Sequence, residues 1–487
     1  MRQTSITREE LVADLPQLRP CGLAEVSAAI RGVRKLVVLD DDPTGTQSVI
    51  DLPVLTQWRD EDLTWALRTD TPAFFVLTNT RSLTAPEAEA VNRDVLRNLQ
   101  RTAAALGIDY AIASRSDSTL RGHFPLETDA ITDTERAAGR AVDGVIVVPA
   151  FLDAGRVTID STHWLTTDTG LIPVSKSEFA RDPSFAYSHS DLRAWVEEKS
   201  HGRIQRSQVP AITLRDLRCG GPARVAELLA TLTLAQVIVV DALDEDDLRV
   251  LVLGILHAER EGLRFVYRTG PSFVRARCAQ SPAPPIALER LRTLLAPADT
   301  DNRPVSSRGL IVVGSHVGMT TRQLQLLRAE EEITALQVDV PRLMQSQTSK
   351  SHCAEIAAAA IEHLGDPNSN ADLVIGTSRE VISAEDRDRN LTVAQTVSSA
   401  LVTIVRDVLA SVRPHFVLAK GGITSADIAS KALDISRAWT RGNLLPGVVS
   451  LWEPATGPSR GIPYVVFPGN VGGEDGLVTV VRTLRQI

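Results

Sequence analysis

Cysteine is scarce in this chain, and its scarcity removes whole classes of protein. Four cysteines, Cys21, Cys219, Cys278 and Cys353, lie far apart in 487 residues with no CxxC pair, so neither a zinc ribbon nor a disulfide framework is expected. They read as ordinary buried thiols. Aromatic residues reach only 4%, and the net charge is −8 with Lys and Arg scattered along the chain. Nucleic-acid binding needs a basic footprint or stacking platforms, so no nucleic-acid partner is expected. No run approaches the length of a membrane-spanning helix, and Met1–Asp14 is charged where an export signal would be apolar. No membrane partner and a cytoplasmic location are therefore expected. GxxxxGK[ST], a strand-linked GxGxxG and HExxH are all missing, which argues against a Walker loop, a dinucleotide fold and a zinc protease. The histidines show no metal spacing. His123 and His316 read as hydrogen-bonding spectators, and no metal ligand is assigned.

What is present describes a folded protein of more than one core. Hydrophobic residues make up 43% and charged residues 23%, and this length exceeds what one core fills. Short apolar runs alternate with helical segments, the pattern of βαβ units around a parallel sheet. Strands are expected at 35–40, 74–78, 110–114, 145–149, 237–240 and 265–268, with a helix over 85–106. A second series follows at 310–313, 334–338, 373–375, 416–418, 448–451 and 464–467, with helices over 393–409 and near 476–484. Between the series, Pro282, Pro284, Pro285, Pro297 and Pro304 interrupt the pattern. The expected fold class is therefore α/β with two domains, each a mainly parallel sheet flanked by helices. The domains are expected at 1–285 and 309–487, joined by a linker at 286–308 with a short helix over 286–295. The poorly periodic 151–214 reads as an elaboration of the first domain.

In open α/β sheets ligands gather at the carboxyl ends of strands, and several loops there are rich in polar groups or glycine. Asp40-Asp41-Asp42-Pro43-Thr44-Gly45-Thr46-Gln47 sets three repelling carboxylates side by side. They await a hydroxyl, a metal or backbone amides, or else form a helix cap and a solvated turn. In Asn79-Thr80-Arg81-Ser82, Arg81 suits a bidentate grip on a carboxylate or a surface ion pair. Ser114-Arg115-Ser116-Asp117-Ser118-Thr119-Leu120-Arg121-Gly122-His123 packs hydroxyls, two guanidinium groups and a carboxylate together. Such a cluster suits a polyhydroxy acid, or a capping loop. Arg156, ending Pro149-Ala150-Phe151-Leu152-Asp153-Ala154-Gly155-Arg156, is an anion contact or a structural tie. In the second series, Gly314-Ser315-His316-Val317-Gly318, Lys420-Gly421-Gly422-Ile423-Thr424-Ser425 and Pro468-Gly469-Asn470-Val471-Gly472-Gly473 each join a strand to a helix. That arrangement points backbone amides at a phosphate.

The ordered set DDDPTGTQ, NTRS, SRSDSTLRGH, PAFLDAGR, VGSHVGMTTRQ, AKGGITSADIA and FPGNVGGEDGL resembles the four-carbon acid sugar kinase family, from Lys35 to the C-terminus. The resemblance implies an N-terminal domain holding a sugar acid such as threonate, erythronate or a 3-oxo-tetronate. It implies a C-terminal domain holding ATP with Mg2+, an active site in the cleft between them, and allows a homodimer. By position it implies substrate contacts from Asp41 or Asp42, from Arg81 and from Arg115, Ser116, Asp117 and Ser118. Beside it, Arg81 and Arg115 are expected on the substrate carboxylate, with Arg121 and Arg156 as second-rank substrate contacts that neutralise the transferred phosphoryl group. Asp42 or Asp117 would accept the hydroxyl proton. ATP would lie against Ser315, Lys420, Gly421, Gly422, Ile423, Thr424, Gly469, Asn470 and Gly472. The family's acidic loop reads closer to DDLTGA, where this chain has Pro43 and Thr46. Its nucleotide loop commonly reads TGGET, where this chain has Lys420 and Ile423.

Two other readings stand beside the kinase. A serine hydrolase using Ser315 fails on spacing, since GxSxG needs serine in the middle. A non-catalytic ligand-binding protein of the same fold would bind without consuming ATP. Gly422→Val is expected to weaken ATP binding in a folded variant, because a side chain there blocks close approach of the backbone. Unchanged nucleotide affinity would remove the loop from the site.

Overall fold

The computed structural model describes residues 6–294, 303–315, 317–378 and 387–487. In chain order the strands are β1 (Lys35–Asp40), β2 (Leu52–Leu55), β3 (Ala73–Leu77), β4 (Tyr110–Arg115), β5 (Gly144–Val148), β6 (Arg156–Ile159), β7 (Thr162–Thr167), β8 (Gly170–Pro173) and β9 (Ala211–Ile212). They continue as β10 (Gln236–Val240), β11 (Phe265–Thr269), β12 (Leu310–Val313), β13 (Ile333–Val338), β14 (Asp372–Thr377), β15 (Val417–Lys420), β16 (Arg437–Leu445), β17 (Val449–Pro454) and β18 (Tyr464–Phe467). The chain forms two compact units, one made of Met1–Val49 with Trp58–Pro282, the other of Ile50–Gln57 with Ala283–Ile487.

In the first unit the strands run β3-β1-β4-β11-β5-β10-β9, every neighbouring pair parallel. The apolar runs LVVL, AFFVL and GVIVV are buried along their whole length, as strands covered on both faces must be. The helix Ala85–Leu106 opens on a capping box between Thr84 and Glu87 and stops at Gly107 in the left-handed region, φ 63°. From β1 the chain steps first to β3 on one side and then to β4 on the other. Such a reversal opens a crevice at the carboxyl ends of β1 and β4.

The segment 151–214, aperiodic in sequence, holds a three-stranded antiparallel sheet, β6-β7-β8, and the helix Leu192–Lys199. Trp195 on that helix is fully buried, stacked on Phe124 with ring centroids 4.6 Å apart, and Arg268 lies over its ring at 5.6 Å. The insertion is thus anchored beneath the loop that follows β4.

The second unit runs β13-β14-β12-β15-β18 in parallel and continues through antiparallel β17, β16 and β2. Its order reverses between β12 and β15. Neither β2 nor β16 was expected from the sequence. β2 is short and contains Pro53, while β16 alternates burial and breaks register at two points. The expected linker helix is Leu288–Leu294. It belongs to this unit's core through fully buried Leu291, and Ile286 N–H donates to the Asn443 carbonyl at 2.8 Å. Residues 295–302, which complete the expected helix and part of the linker, lie outside the described residues.

Removing the Trp195 indole leaves a cavity under both Phe124 and Arg268. Trp195→Ala should destabilise the protein by about 3–5 kcal/mol, read as a lower chemical-denaturation midpoint. A change within experimental error would show that the insertion does not anchor the loop.

Candidate functional site

At the end of β1 three carboxylates follow one another, and each meets a different partner. Asp40 is buried and its Oδ1 accepts Arg115 Nη1 at 2.9 Å. Burial pushes its carboxyl up to about 7 against the opposing pull of Arg115, with Asp41 and Asp42 adding to the rise. A Cβ on Gly45 would fall 1.9 Å from Asp40 Oδ2, so only glycine lets the turn pass over this carboxylate. Asp41 takes Arg81 in bidentate fashion, Nη2 to Oδ1 at 2.5 Å and Nε to Oδ2 at 3.1 Å. Asp42 caps its own turn, accepting Thr44 N–H at 2.8 Å and the Thr44 hydroxyl at 2.6 Å, and takes Arg81 Nη1 at 3.3 Å. Burial works against its charge, but Arg81 and Thr44 hold it below the usual carboxylate range.

Arg115 ends β4, and the loop beyond it folds back on the same cluster. Ser116 and Ser118 are buried; Ser116 N–H donates to the Thr269 carbonyl at 3.0 Å. The Ser118 carbonyl accepts His163 Nε2 at 2.8 Å. Burial lowers His163 to about 4, so the ring is neutral and its Nε2 carries the proton. Asp117 accepts Arg121 Nε at 2.7 Å and the Thr119 hydroxyl, with Arg81 Nη1 4.0 Å away. Burial opposes its charge, yet Arg81 and Arg121 hold it well below the carboxylate range. Arg121 also reaches Asp182 at 3.4 Å and lies 5.0 Å over the Phe179 ring. Arg156 opens β6 between the rings of Phe151 and Phe179, 5.7 and 5.8 Å from their centroids.

All nine residues singled out in this unit, Asp41, Asp42, Arg81, Arg115, Ser116, Asp117, Ser118, Arg121 and Arg156, therefore sit at the carboxyl edge of one sheet. Three others at this edge were not assigned from the sequence. Arg268, 1% exposed, donates Nη2 to the Arg121 carbonyl at 3.0 Å. Its signal was available: a lone charge in the apolar run of β11. Glu127 accepts the Thr80 hydroxyl at 2.6 Å and the Ser114 hydroxyl at 3.3 Å. Asp40 stood in the acidic turn but was not assigned. The hydrogen bonds of His123 go to the carbonyls of Thr80 and Leu83, both at 3.1 Å, as expected of a spectator.

In the second unit three glycine loops leave the carboxyl ends of the adjacent parallel strands β12, β15 and β18, beside the reversal in strand order. They close on Ser315. A Cβ on Gly469 would lie 2.5 Å from Ser315 Oγ, one on Gly421 3.3 Å from Ser315 Cβ, and one on Gly314 2.2 Å from Thr424 Oγ1. Gly421 and Gly472 have φ of 121° and 77°, which disfavour a side chain. Thr320 Oγ1 ties the loops together, donating to the Gly469 carbonyl at 2.8 Å and standing within hydrogen-bond distance, 3.1 Å, of Ser315 Oγ. Gln323 Nε2 does the same for the carbonyls of Val471 and Gly473, at 3.1 and 2.7 Å. Gly422 opens the helix Gly422–Asp427, with Ile423 53% exposed beside it and Asn470 exposed at the tip of its loop. His316 lies outside the described residues.

Lys420, directly before this glycine turn, is wholly buried. Its Nζ donates to the Pro468 carbonyl at 3.1 Å and stands 3.7 Å from the centroid of the Phe467 ring. Burial alone brings the ammonium down to about 7. Among the described residues no group of three or more His, Cys, Asp or Glu is arranged to hold a metal ion, and none of their helices is long and apolar enough to cross a membrane.

Residues 36–277 match the model of a sugar-binding N-terminal domain, and residues 310–477 that of a nucleotide-binding C-terminal domain. Among solved structures, a Salmonella typhimurium LT2 chain described as a candidate tRNA synthase is 19% identical, with a TM-score of 0.64 over 91% of this chain and 98% of that one. A Haemophilus influenzae protein of family DUF1537 is 18% identical, with a TM-score of 0.58 over the same shares, 91% and 98%. These likenesses show a shared fold. No curated protein matches the chain.

Because the folded pKa of Lys420 is depressed to about 7 from 10.5, the unfolded chain binds more protons between those values, and stability falls as pH drops through that window. Lys420→Met removes this dependence. The variant's melting temperature should gain on the wild type's by more near about pH 7 than near about pH 9.5. An equal difference at both would show that Lys420 stays charged throughout.

Proposed function

The chain belongs to the four-carbon acid sugar kinase family, and from that premise we propose that it transfers the γ-phosphoryl group of ATP to a hydroxyl of a small sugar acid. The observation that carries this reading is the pairing of two unlike ligand sites, each at a strand-order reversal. One is a cluster of carboxylates, guanidinium groups and hydroxyls; the other is a set of three glycine loops whose close approaches leave no space for a Cβ. The acceptor is a tetronate, a 3-oxo-tetronate or a related branched acid.

ATP, when bound, supplies the phosphoryl group. The close approaches at Gly314, Gly421 and Gly469 fit a phosphate chain lying on backbone amides. The chain offers no ready-made metal cage among the described residues, and Mg2+ usually needs only one or two carboxylates besides the nucleotide's phosphates. We assign no residue to it.

In the sugar-acid site Arg81 and Arg115 hold the acidic turn in place through their ion pairs. Asp42 and Asp117 keep partial exposure, 21% and 13% of their side chains, and both approach Arg81 Nη1, at 3.3 and 4.0 Å. They are the proposed acceptors of the hydroxyl proton. Both carboxylates are weak bases, which suffices for a loose phosphoryl-transfer transition state in which the acceptor contributes little before the proton leaves.

The test is ATP consumption by the purified protein with magnesium against tetronates, 3-oxo-tetronates and branched sugar acids, with glycerate and simple sugars as controls. Turnover on one of the acids is expected. Asp42→Asn or Asp117→Asn should then lower kcat by about 10²–10⁴-fold, with ATP affinity retained. No ATP consumption with any acid, in a protein that binds ATP, would overturn the kinase reading.

A further inference from the structure

At the carboxyl edge of the first sheet the guanidinium groups are not equivalent. Arg115 is neutralised by Asp40 at 2.9 Å, Arg81 by Asp41 and Asp42, and Arg121 by Asp117 and Asp182. Arg268 makes no ion pair among the described residues, but it is 1% exposed and donates to a backbone carbonyl inside the fold. Arg156 differs from all four. Like Arg268 it makes no ion pair among the described residues and lies over aromatic faces, here those of Phe151 and Phe179, and like Arg115 and Arg268 it has a buried Nε without a hydrogen-bond partner; what sets it apart is that this unpaired guanidinium is not sealed in. The residue keeps partial exposure, so a ligand can reach it.

We propose that Arg156 is the receptor for the carboxylate of the sugar acid, an inference that rests on the kinase reading only for the identity of the ligand. A buried cation without a counter-ion is costly, and an arriving carboxylate removes that cost while matching the planar fork. Burial already works against the charge of Arg156. Asp117 relieves it in part, Arg121 opposes it across the shared Phe179 ring, and Tyr187 adds a small favourable contribution. The neutral ring of His163 also feels Arg156.

The arginine is held in advance of the ligand. Backbone hydrogen bonds of 3.0 Å run both ways between Phe151 and Arg156. Gly155, φ 65°, lets the chain turn where a Cβ would strike Thr166 at 2.6 Å. Asp117 selects the kind of anion. A dianionic phosphate on Arg156 would face this carboxylate, whereas a hydroxy acid sets one negative charge on Arg156 and offers Asp117 a hydroxyl to accept.

The experiment measures binding of the best tetronate to the full-length protein without ATP, by calorimetry, in wild type, Arg156→Met and Arg156→Lys, with the corresponding uncharged alditol as control. Arg156→Met should weaken acid binding roughly 10- to 100-fold, with Arg156→Lys intermediate, with alditol binding and ATP affinity unchanged and with a melting temperature no lower than the wild type's. Wild-type acid affinity in a folded Arg156→Met variant would overturn the proposal, as would equal losses for acid and alditol, or a loss of ATP affinity alone. If the wild type binds the acid but never consumes ATP, the kinase reading fails and the comparison of variants still decides Arg156. If the wild type phosphorylates the acid and Arg156→Met keeps its KM, Arg156 fails alone. A wild type that binds no acid overturns both.

Discussion

Three consecutive carboxylates at the end of a buried strand repel one another and lose hydration, and the first unit is arranged around neutralising them. Asp40 is answered from β4 by Arg115, Asp41 and Asp42 from the loop after β3 by Arg81, and the same Arg81 stands 4.0 Å from Asp117. One network therefore joins the ends of three neighbouring strands. Gly45 follows from it, since no larger residue can pass over Asp40, and so does the burial of Arg115. Breaking a buried pair of this kind by removing one partner strands the other charge. The network is stiff for that reason, and a hydroxyl or carboxylate entering it meets fixed groups.

The second unit solves a different problem with backbone. Its loops converge on Ser315 through approaches that exclude side chains, and Thr320 and Gln323 hold them together by donating to carbonyls of the loop after β18. Lys420 lies beneath this arrangement, its ammonium spent on Pro468 and Phe467 and on no carboxylate among the described residues. It is a support of the loop after β18 before it is a partner of any phosphate.

Much of this was legible in the sequence where one physical signal dominated. β1, β12, β18 and the helix Ala85–Leu106 fall where apolar runs and caps place them, because strands buried on both faces have no competing pattern. β2 and β16 were not legible, since Pro53 and the half-polar stretch from Arg437 to Leu445 carry no such run; β2 pairs with β16, and β16 with both β2 and β17. The charges of the site were visible but their partners were not. Arg81 and Arg115 stood out as candidate ligand groups, but their ion pairs with Asp41 and Asp40, made across 40 and 75 residues of chain, were not foreseen. Glu127 and Arg268 escaped for the same reason, being brought in by helix and strand packing.

The eight-residue excursion of Ile50–Gln57 into the second unit has a practical consequence for anyone dissecting the protein. A fragment beginning at Ala283 would hold every parallel strand of its sheet and yet lack β2. The flank of β16 that pairs with Leu52–Leu55 would then show bare amides and carbonyls to solvent, an edge inviting foreign strands. Cutting this chain once yields two incomplete pieces. A clean separation requires Ile50–Gln57 to travel with the C-terminal half, grafted or added as a peptide.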